Sequence, residues 1–398
     1  MHLAARALSI SGSATLELTG KVAELRRQGV DVISLGAGEP DFPSPPQALE
    51  AAAAFIAKGR VVYLPATGLP ELREAAAAEL SRSTGVRYEP RQVCITNGCK
   101  EGLALAILAC VQDPADEVVC PSPAWVSYDA MVAIAGGRMV KVPCGEETGW
   151  KLTPEALARA LTPKTRALLL NFPNNPTGAA LTRAEMAALC KVLEGRDITV
   201  ISDEIYSPFV FEGEHVSPAS VPGMAERTVV VNGVSKSYSM TGWRVGWTGA
   251  PPKLADAIAN QKSHLTSNAA APSQHAALAA LRSGPAYTEM MKAAFRKRLT
   301  LALDALARVP GLTVARPGGA FYVFPRIDSL YGPTLPGSEA FATALLDRAR
   351  VAALPGAAFG DDRCLRFSIA ASDDHVREGF TRFAAFVESL APAPAPRR

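Results

Sequence analysis

Thr228-Val229-Val230-Val231-Asn232-Gly233-Val234-Ser235-Lys236-Ser237-Tyr238 runs from an apolar strand-like stretch into small and hydroxyl residues and then a lysine. Arg244 follows eight residues later in Met240-Thr241-Gly242-Trp243-Arg244-Val245-Gly246-Trp247. An amine and a guanidinium at this spacing suit one ligand: the amine links to a carbonyl carbon while the planar fork binds phosphate oxygens. A lone lysine would read as a solvated surface residue, so the reading depends on what accompanies it. Asn171-Phe172-Pro173-Asn174-Asn175-Pro176-Thr177-Gly178 follows the apolar run Ala167 to Leu170, and Ser202-Asp203-Glu204-Ile205-Tyr206 follows Ile198 to Ile201. Three strand-like runs thus end in polar residues. In open α/β sheets ligands bind beyond the carboxyl ends of the strands, so these ends are expected to share one crevice.

With Gly36-Ala37-Gly38-Glu39-Pro40-Asp41-Phe42 upstream, these motifs occur in a recognisable order. The chain resembles the pyridoxal-phosphate-dependent aminotransferases of fold type I, class I/II, in the aspartate aminotransferase family. The resemblance runs from about Ser13 through the Arg366 segment. It implies an α/β fold: a large domain with a mostly parallel seven-stranded sheet between helices, and a smaller α+β domain.

A chain of 398 residues exceeds what one core usually serves, so at least two lobes are expected. Charges nearly balance at a formal net +3, with no basic block before the terminal Arg397-Arg398, which leaves nucleic-acid binding without an electrostatic footprint. The seven cysteines are scattered and contain no Cys-x-x-Cys pair, which argues against a disulfide framework or a zinc site and for reduced thiols in a cytoplasm. No metal is expected. The longest apolar stretch, Leu103 to Val111, is far shorter than the roughly 18 residues a membrane span needs. Met1 to Leu8 lacks the apolar centre of a signal peptide.

Along the chain, residues 1–45 read as an arm with one helix from Ala14 to Gln28, followed by the prolines Pro40, Pro43, Pro45 and Pro46, which mark a crossing between lobes. Residues 46–285 alternate helical and strand-like segments, among them helices Gln47 to Ala57, Leu69 to Ser83 and Gly98 to Val111 and strands Val93 to Thr96 and Glu117 to Cys120. That alternation argues for a largely parallel sheet covered on both faces. Residues 286–390 begin with a long helix to about Val309. Strands are then expected at Leu312 to Val314, Ala320 to Phe324 and Cys364 to Ile369, with helices at Ser338 to Arg350 and His375 to Ser389. The resemblance implies that the amino-terminal segment joins this second lobe. The Ala-Pro stretch in 391–398 reads as a disordered tail.

Gly98-Cys99-Lys100 opens a helix whose free N–H groups and positive dipole end favour an anion. The resemblance puts the cofactor phosphate there, with Ser235 and Arg244 completing the cup and Tyr63 reaching it from a second subunit, so that a homodimer shares its active sites. Asp203 would pair with the protonated ring nitrogen, since an unpaired charge at a strand end is costly to bury. Asn175 and Tyr206 match the pair that bonds the ring oxygen, and Trp125 matches the aromatic that stacks on the ring. Arg366 matches the fork for the substrate α-carboxylate, assisted by Asn175 and the backbone near Gly38. From the strand-like alternation alone, Arg366 could equally be a solvated side chain. Lys236 would hold the cofactor as a Schiff base and then, once released, move a proton between carbons in a ping-pong transamination.

Substrate choice is the open point. Lys100, Ser13 and Thr15 stand where one branch of the family, which includes enzymes acting on prephenate, recognises a side-chain carboxylate, so aspartate and glutamate are the expected substrates. Ser263-His264-Leu265-Thr266-Ser267-Asn268 offers no arginine for that task. Lys100 could instead be a surface or phosphate-side charge. Aromatic or specialised biosynthetic amino acids stay open, as do a C–S lyase or an oxidative deamination on the same cofactor. A dinucleotide-binding dehydrogenase fails on the Gly36 segment, which lacks the third glycine and runs into proline. A noncatalytic relative would be expected to lose Lys236 or Asp203, and both are present.

Overall fold

The computed structural model describes residues 2–8, 10 and 12–390. The expectation for the 391–398 tail lies outside them. The centre is a seven-stranded sheet. Its order across is Val93–Thr96, Gly246–Gly249, Thr228–Gly233, Thr199–Asp203, Thr165–Asn171, Glu117–Ser122 and Arg138–Pro143. All pairs are parallel except the two made by Gly246–Gly249. That strand lies antiparallel: the connection from Thr228–Gly233 holds only the short helix Val234–Ser237 and the single turn Thr241–Trp243, which reverse the chain with no long crossover helix. The inner strands Glu117–Ser122, Thr228–Gly233 and Gly246–Gly249 are buried along their whole length, and the other two expose or half-expose only Arg166 and Thr199 near their starts, as a sheet covered on both faces requires.

Helix boundaries follow local chemistry. Pro46 and Pro70 stand at the first position of Pro46–Ile56 and Pro70–Thr84, where a missing N–H costs nothing. Thr182 and Glu185 form a reciprocal capping box on Arg183–Val192. Cys99–Cys110 starts after Gly98, and its buried face packs on the sheet through Leu103, Ala106 and Ile107.

The second lobe holds a three-stranded antiparallel sheet, ordered Leu354–Pro355, Leu365–Ser368, Tyr322–Val323. Ile33–Ser34 pairs in parallel with Val351–Ala352, so the amino-terminal segment is stitched to the carboxy-terminal one. The expected strand at Leu312 to Val314 is reduced to one bridge, Thr313 to Arg326. Pro310-Gly311 before it and Pro317-Gly318-Gly319 after it leave too little regular backbone for a ladder. One apolar cluster joins the lobes, running from Leu103, Leu169 and Ile201 through Phe209, Phe295 and Phe321 to Phe367 and Phe383. The lobes therefore share a packed seam.

Candidate active site

A cavity of about 270 Å³ opens at the carboxyl ends of the sheet strands, lined among others by Lys236, Asp203, Tyr206, Arg244, Arg366 and Lys100. Three strands deliver its central groups. Thr199–Asp203 ends in the acid, Thr165–Asn171 ends just before the Asn174-Asn175 turn, and Thr228–Gly233 leads into the short helix Val234–Ser237 that carries Lys236. Registration fixes their spacing: Asn171 lies opposite Asp203, and Asp203 opposite Val231.

Lys236 Nζ donates to the Gly38 carbonyl at 2.6 Å, tying the sheet to the Gly36–Phe42 segment. Burial pulls its ammonium down to about 8, against an opposing pull from Glu39. A lysine so placed is partly neutral near physiological pH and is available as nucleophile or base. Asp203 is buried, and burial pushes its carboxyl up to about 6 despite a 2.7 Å hydrogen bond donated by Tyr128 Oη. The Ile205 N–H supplies a second, longer contact at 3.3 Å. No cationic side chain bonds this acid among the described residues.

Arg366 is 2% exposed, which removes the solvated alternative. Its Nη1 donates to Asn175 Oδ1 at 2.9 Å, and Nη2 donates to the Gly36 carbonyl. Its Nε is buried without a partner, and its guanidinium stacks over Tyr322 and Phe359 at 4.5 and 4.9 Å. Leaving such a donor unmade is costly, so an anion on this guanidinium would be stabilising. Asn175 is itself held by Asn171, whose Oδ1 accepts its N–H at 3.0 Å and whose Nδ2 donates to the Asp203 carbonyl at 2.9 Å.

At the other end, Gly98 stands before Cys99–Cys110 with φ +77, and a Cβ there would come within 2.6 Å of Arg244 Nη2. Only glycine lets the guanidinium approach the helix start this closely. Arg244 Nη1 donates to the Thr241 carbonyl at 2.9 Å, and Nη2 makes only a long 3.5 Å contact with the Asn97 carbonyl. Ser235 is buried beside Lys236 on the cavity wall. N–H groups, hydroxyl and fork together form a cradle for a phosphate. The arrangement fits pyridoxal phosphate: a cradle, a buried acid that no cation bonds, a deprotonatable lysine and an orphaned guanidinium donor surround one space.

The remaining expected residues divide. Lys100 Nζ lies 5.0 Å from the Trp125 ring centroid, a cation over an aromatic face, and partial burial followed by the Arg244 charge pulls its ammonium down. Thr15 lines the cavity with its Oγ1 buried and unpartnered. Ser13 precedes helix Ala14–Arg27 without capping it and does not line the cavity, nor does Tyr63, which is 90% exposed on the single chain. Cys99 is buried at the helix start, where burial holds its thiol protonated.

Two tyrosines escaped sequence reasoning. Tyr128 supports Asp203 and packs edge-on against Trp125 at 5.4 Å. The Tyr322 hydroxyl bonds that of Tyr206 at 2.8 Å, so the phenol expected to face the ligand has a second phenol behind it. The only sequence signal for Tyr128 is its position one helical turn after Trp125; Tyr322 sits in an apolar run and has none.

Residues 30–383 match the model of the aminotransferase class I and II family. The chain is 43% identical to the aspartate/prephenate aminotransferase of Cereibacter sphaeroides, covering 96% of this chain and 97% of that one. It is 41% identical to the aspartate aminotransferase of Geobacillus stearothermophilus, covering 98% and 100%. Among solved structures, the aspartate aminotransferase from Thermus thermophilus with maleate superposes with a TM-score of 0.92 at 40% identity, covering 97% of this chain and 99% of that one.

Proposed function

We infer the function from one premise: this chain belongs to the class I and II aminotransferases. It is a pyridoxal-phosphate-dependent enzyme that moves an amino group between an L-amino acid and a 2-oxo acid, with aspartate and glutamate as the best-fitting donors. The observation that carries the reading is the meeting of Lys236, Asp203 and Arg366 in one cavity that Lys100 also lines. The Thermus thermophilus enzyme was solved with maleate, a small dicarboxylate, which supports an acidic substrate.

When bound, pyridoxal phosphate supplies an aldehyde for the substrate amine and a ring that accepts electrons from the α-carbon. The protein's residues take the remaining tasks. Arg244, Ser235 and the Gly98–Lys100 helix start hold the phosphate. Asp203, kept in place by Tyr128, sets a negative charge against the ring nitrogen and is itself relieved of unpaired burial. Trp125 covers one ring face. Tyr206 and Asn175 donate toward the ring oxygen. Arg366 takes the α-carboxylate with its guanidinium, whose donors are not all satisfied within the protein, and so orients the substrate's α-bonds. Lys236 holds the cofactor and then carries the proton at its Nζ, where burial has already lowered the cost of the neutral amine. Lys100 and Thr15 receive the side-chain carboxylate.

Residues 46–285 form the cofactor lobe in this reading, and 1–45 with 286–390 form the lobe that brings Arg366. Tyr63 belongs to the neighbouring site of a homodimer, a role its exposure supports. Seven free cysteines support a reducing compartment such as the cytoplasm.

The test is a half-reaction. Purified holoenzyme mixed with one amino acid and no oxo acid should lose its visible band quickly with aspartate and glutamate, and Lys100→Ala should slow both at least about tenfold. Bleaching by aromatic amino acids alone would overturn the acidic specificity. Pyruvate and ammonia from a cysteine-like substrate would move the reaction class.

A further inference from the structure

Beside the cradle lies a charge that ought to repel a phosphate. Glu101 stands in the first turn of Cys99–Cys110, and both its oxygens are committed to the turn before the helix. The Asn97 N–H donates to Oε2 at 2.6 Å, and Asn97 Nδ2 lies 3.1 Å from each oxygen. Asn97 in turn offers its carbonyl toward Arg244 Nη2 at 3.5 Å. The acid thus fixes the backbone just before Gly98, but at the cost of a carboxylate in the same helix turn that meets the phosphate.

Lys262 answers that charge. Its side chain is fully buried, and Nζ donates to Glu101 Oε2 at 2.8 Å and to Thr266 Oγ1 at 3.1 Å, while Thr266 Oγ1 also donates to Glu101. Lys262 lies in the last turn of Pro252–Leu265, so the pair joins the positive end of one helix to the negative end of another, each charge at its favourable pole. Burial works to raise the Glu101 carboxyl, yet the bonds from Lys262, Thr266 and Asn97 outweigh it and hold the group ionised.

We propose that Lys262 and Glu101 are positioning residues that set affinity for the cofactor phosphate: the acid clamps Asn97, the residue just before Gly98, and the buried ammonium cancels the acid's charge toward the anion. This rests on the pyridoxal phosphate reading above. The ammonium is fully buried and the carboxylate it meets is only 12% exposed, so solvent screens the acid's charge weakly.

The experiment measures equilibrium binding of pyridoxal phosphate, and of pyridoxal without its phosphate, to the full chain by visible absorbance. Absence of any binding to the unaltered chain would sink the cofactor reading itself. Given binding, Lys262→Met should weaken pyridoxal phosphate at least about tenfold while pyridoxal changes little, because one uncompensated buried charge acts on the dianion alone. Lys262→Met with Glu101→Gln should restore most of the affinity, since the glutamine still accepts from Asn97. Equal loss for both ligands, or no recovery in the pair, would show a purely structural role and overturn the proposal. Should Lys262→Met not fold, Glu101→Gln alone decides: pyridoxal phosphate bound at least as tightly as in the unaltered chain supports the clamp, and weaker binding overturns it.

Discussion

Asp203 shows how a single side chain trades stability for chemistry. Its carboxyl moves from an ordinary 3.8 to about 6 because it is buried with only Tyr128 and one N–H to share its charge, a change equivalent to roughly 3 kcal/mol. Below 3.8 the group is protonated in folded and unfolded chains alike and costs nothing. Between 3.8 and about 6 the unfolded chain loses the proton first, so folding stability falls as pH rises, and above 6 the whole penalty is present. Asp203→Asn keeps an acceptor for Tyr128 and removes the charge. Urea titrations of the cofactor-free protein should therefore find the variant more stable at pH 7.5 by about 1 to 3 kcal/mol, with the gap shrinking toward pH 4.5. The half-reaction rate should fall by a factor on the order of a hundred or more. Equal stability across that range would mean that the acid is already paired. Asp203 was legible as a charge at the end of an apolar run and Lys236 through the motifs that accompany it, whereas Arg366 was picked out by the family resemblance, its alternating run leaving a solvated side chain equally open. Tyr128 and Tyr322 were not legible, because an aromatic most often reads as core, Tyr322 standing in an apolar run, and their partners lie 75 and 116 positions away.

At the scale of elements, the long apolar strands and the periodic helices were readable, whereas short or glycine-flanked ones were not. Val93–Thr96 and Cys99–Cys110 came directly from pattern. Gly246-Trp247-Thr248-Gly249 gave no strand signal, since both ends are glycine, yet it pairs on both sides and turns the sheet mixed. Its glycines serve approach rather than propensity: a Cβ at Gly246 would meet the Cys99 backbone nitrogen at 2.7 Å, so the strand lies directly under the helix start. Gly98 has the same purpose from above. Gly98→Ala would require a positive φ at an alanine and push Arg244 aside by its 2.6 Å contact. The strain is on the order of 1 to 3 kcal/mol and falls on the cradle. The variant should keep its circular dichroism and lose pyridoxal phosphate affinity about tenfold or more, read by dialysis; unchanged affinity would show that the phosphate does not use this helix start.

For the molecule as a whole, the cavity on one chain lacks Tyr63, a residue that the family resemblance assigns to it. Tyr63 is 90% exposed and its neighbours Val61 and Val62 are 55% and 50% exposed, an apolar run that a lone chain would leave in water. A symmetric dimer that covers this run and brings Tyr63 to the opposite cavity accounts for both facts. The consequence is sharp, because each site then needs Lys236 from one chain and Tyr63 from the other. Tyr63→Ala and Lys236→Ala should each be poorly active as pure dimers. Unfolded together and refolded as a mixture, half the dimers combine one chain of each kind, and every such dimer holds one site with an intact Lys236 and an intact Tyr63 beside one site lacking both. Aspartate turnover should rise on mixing well above the sum of the separate variants, toward about a quarter of the unaltered enzyme. A mixture no more active than its components, under conditions where sedimentation shows that dimers have exchanged chains, would confine each site to a single chain and return Tyr63 to the surface.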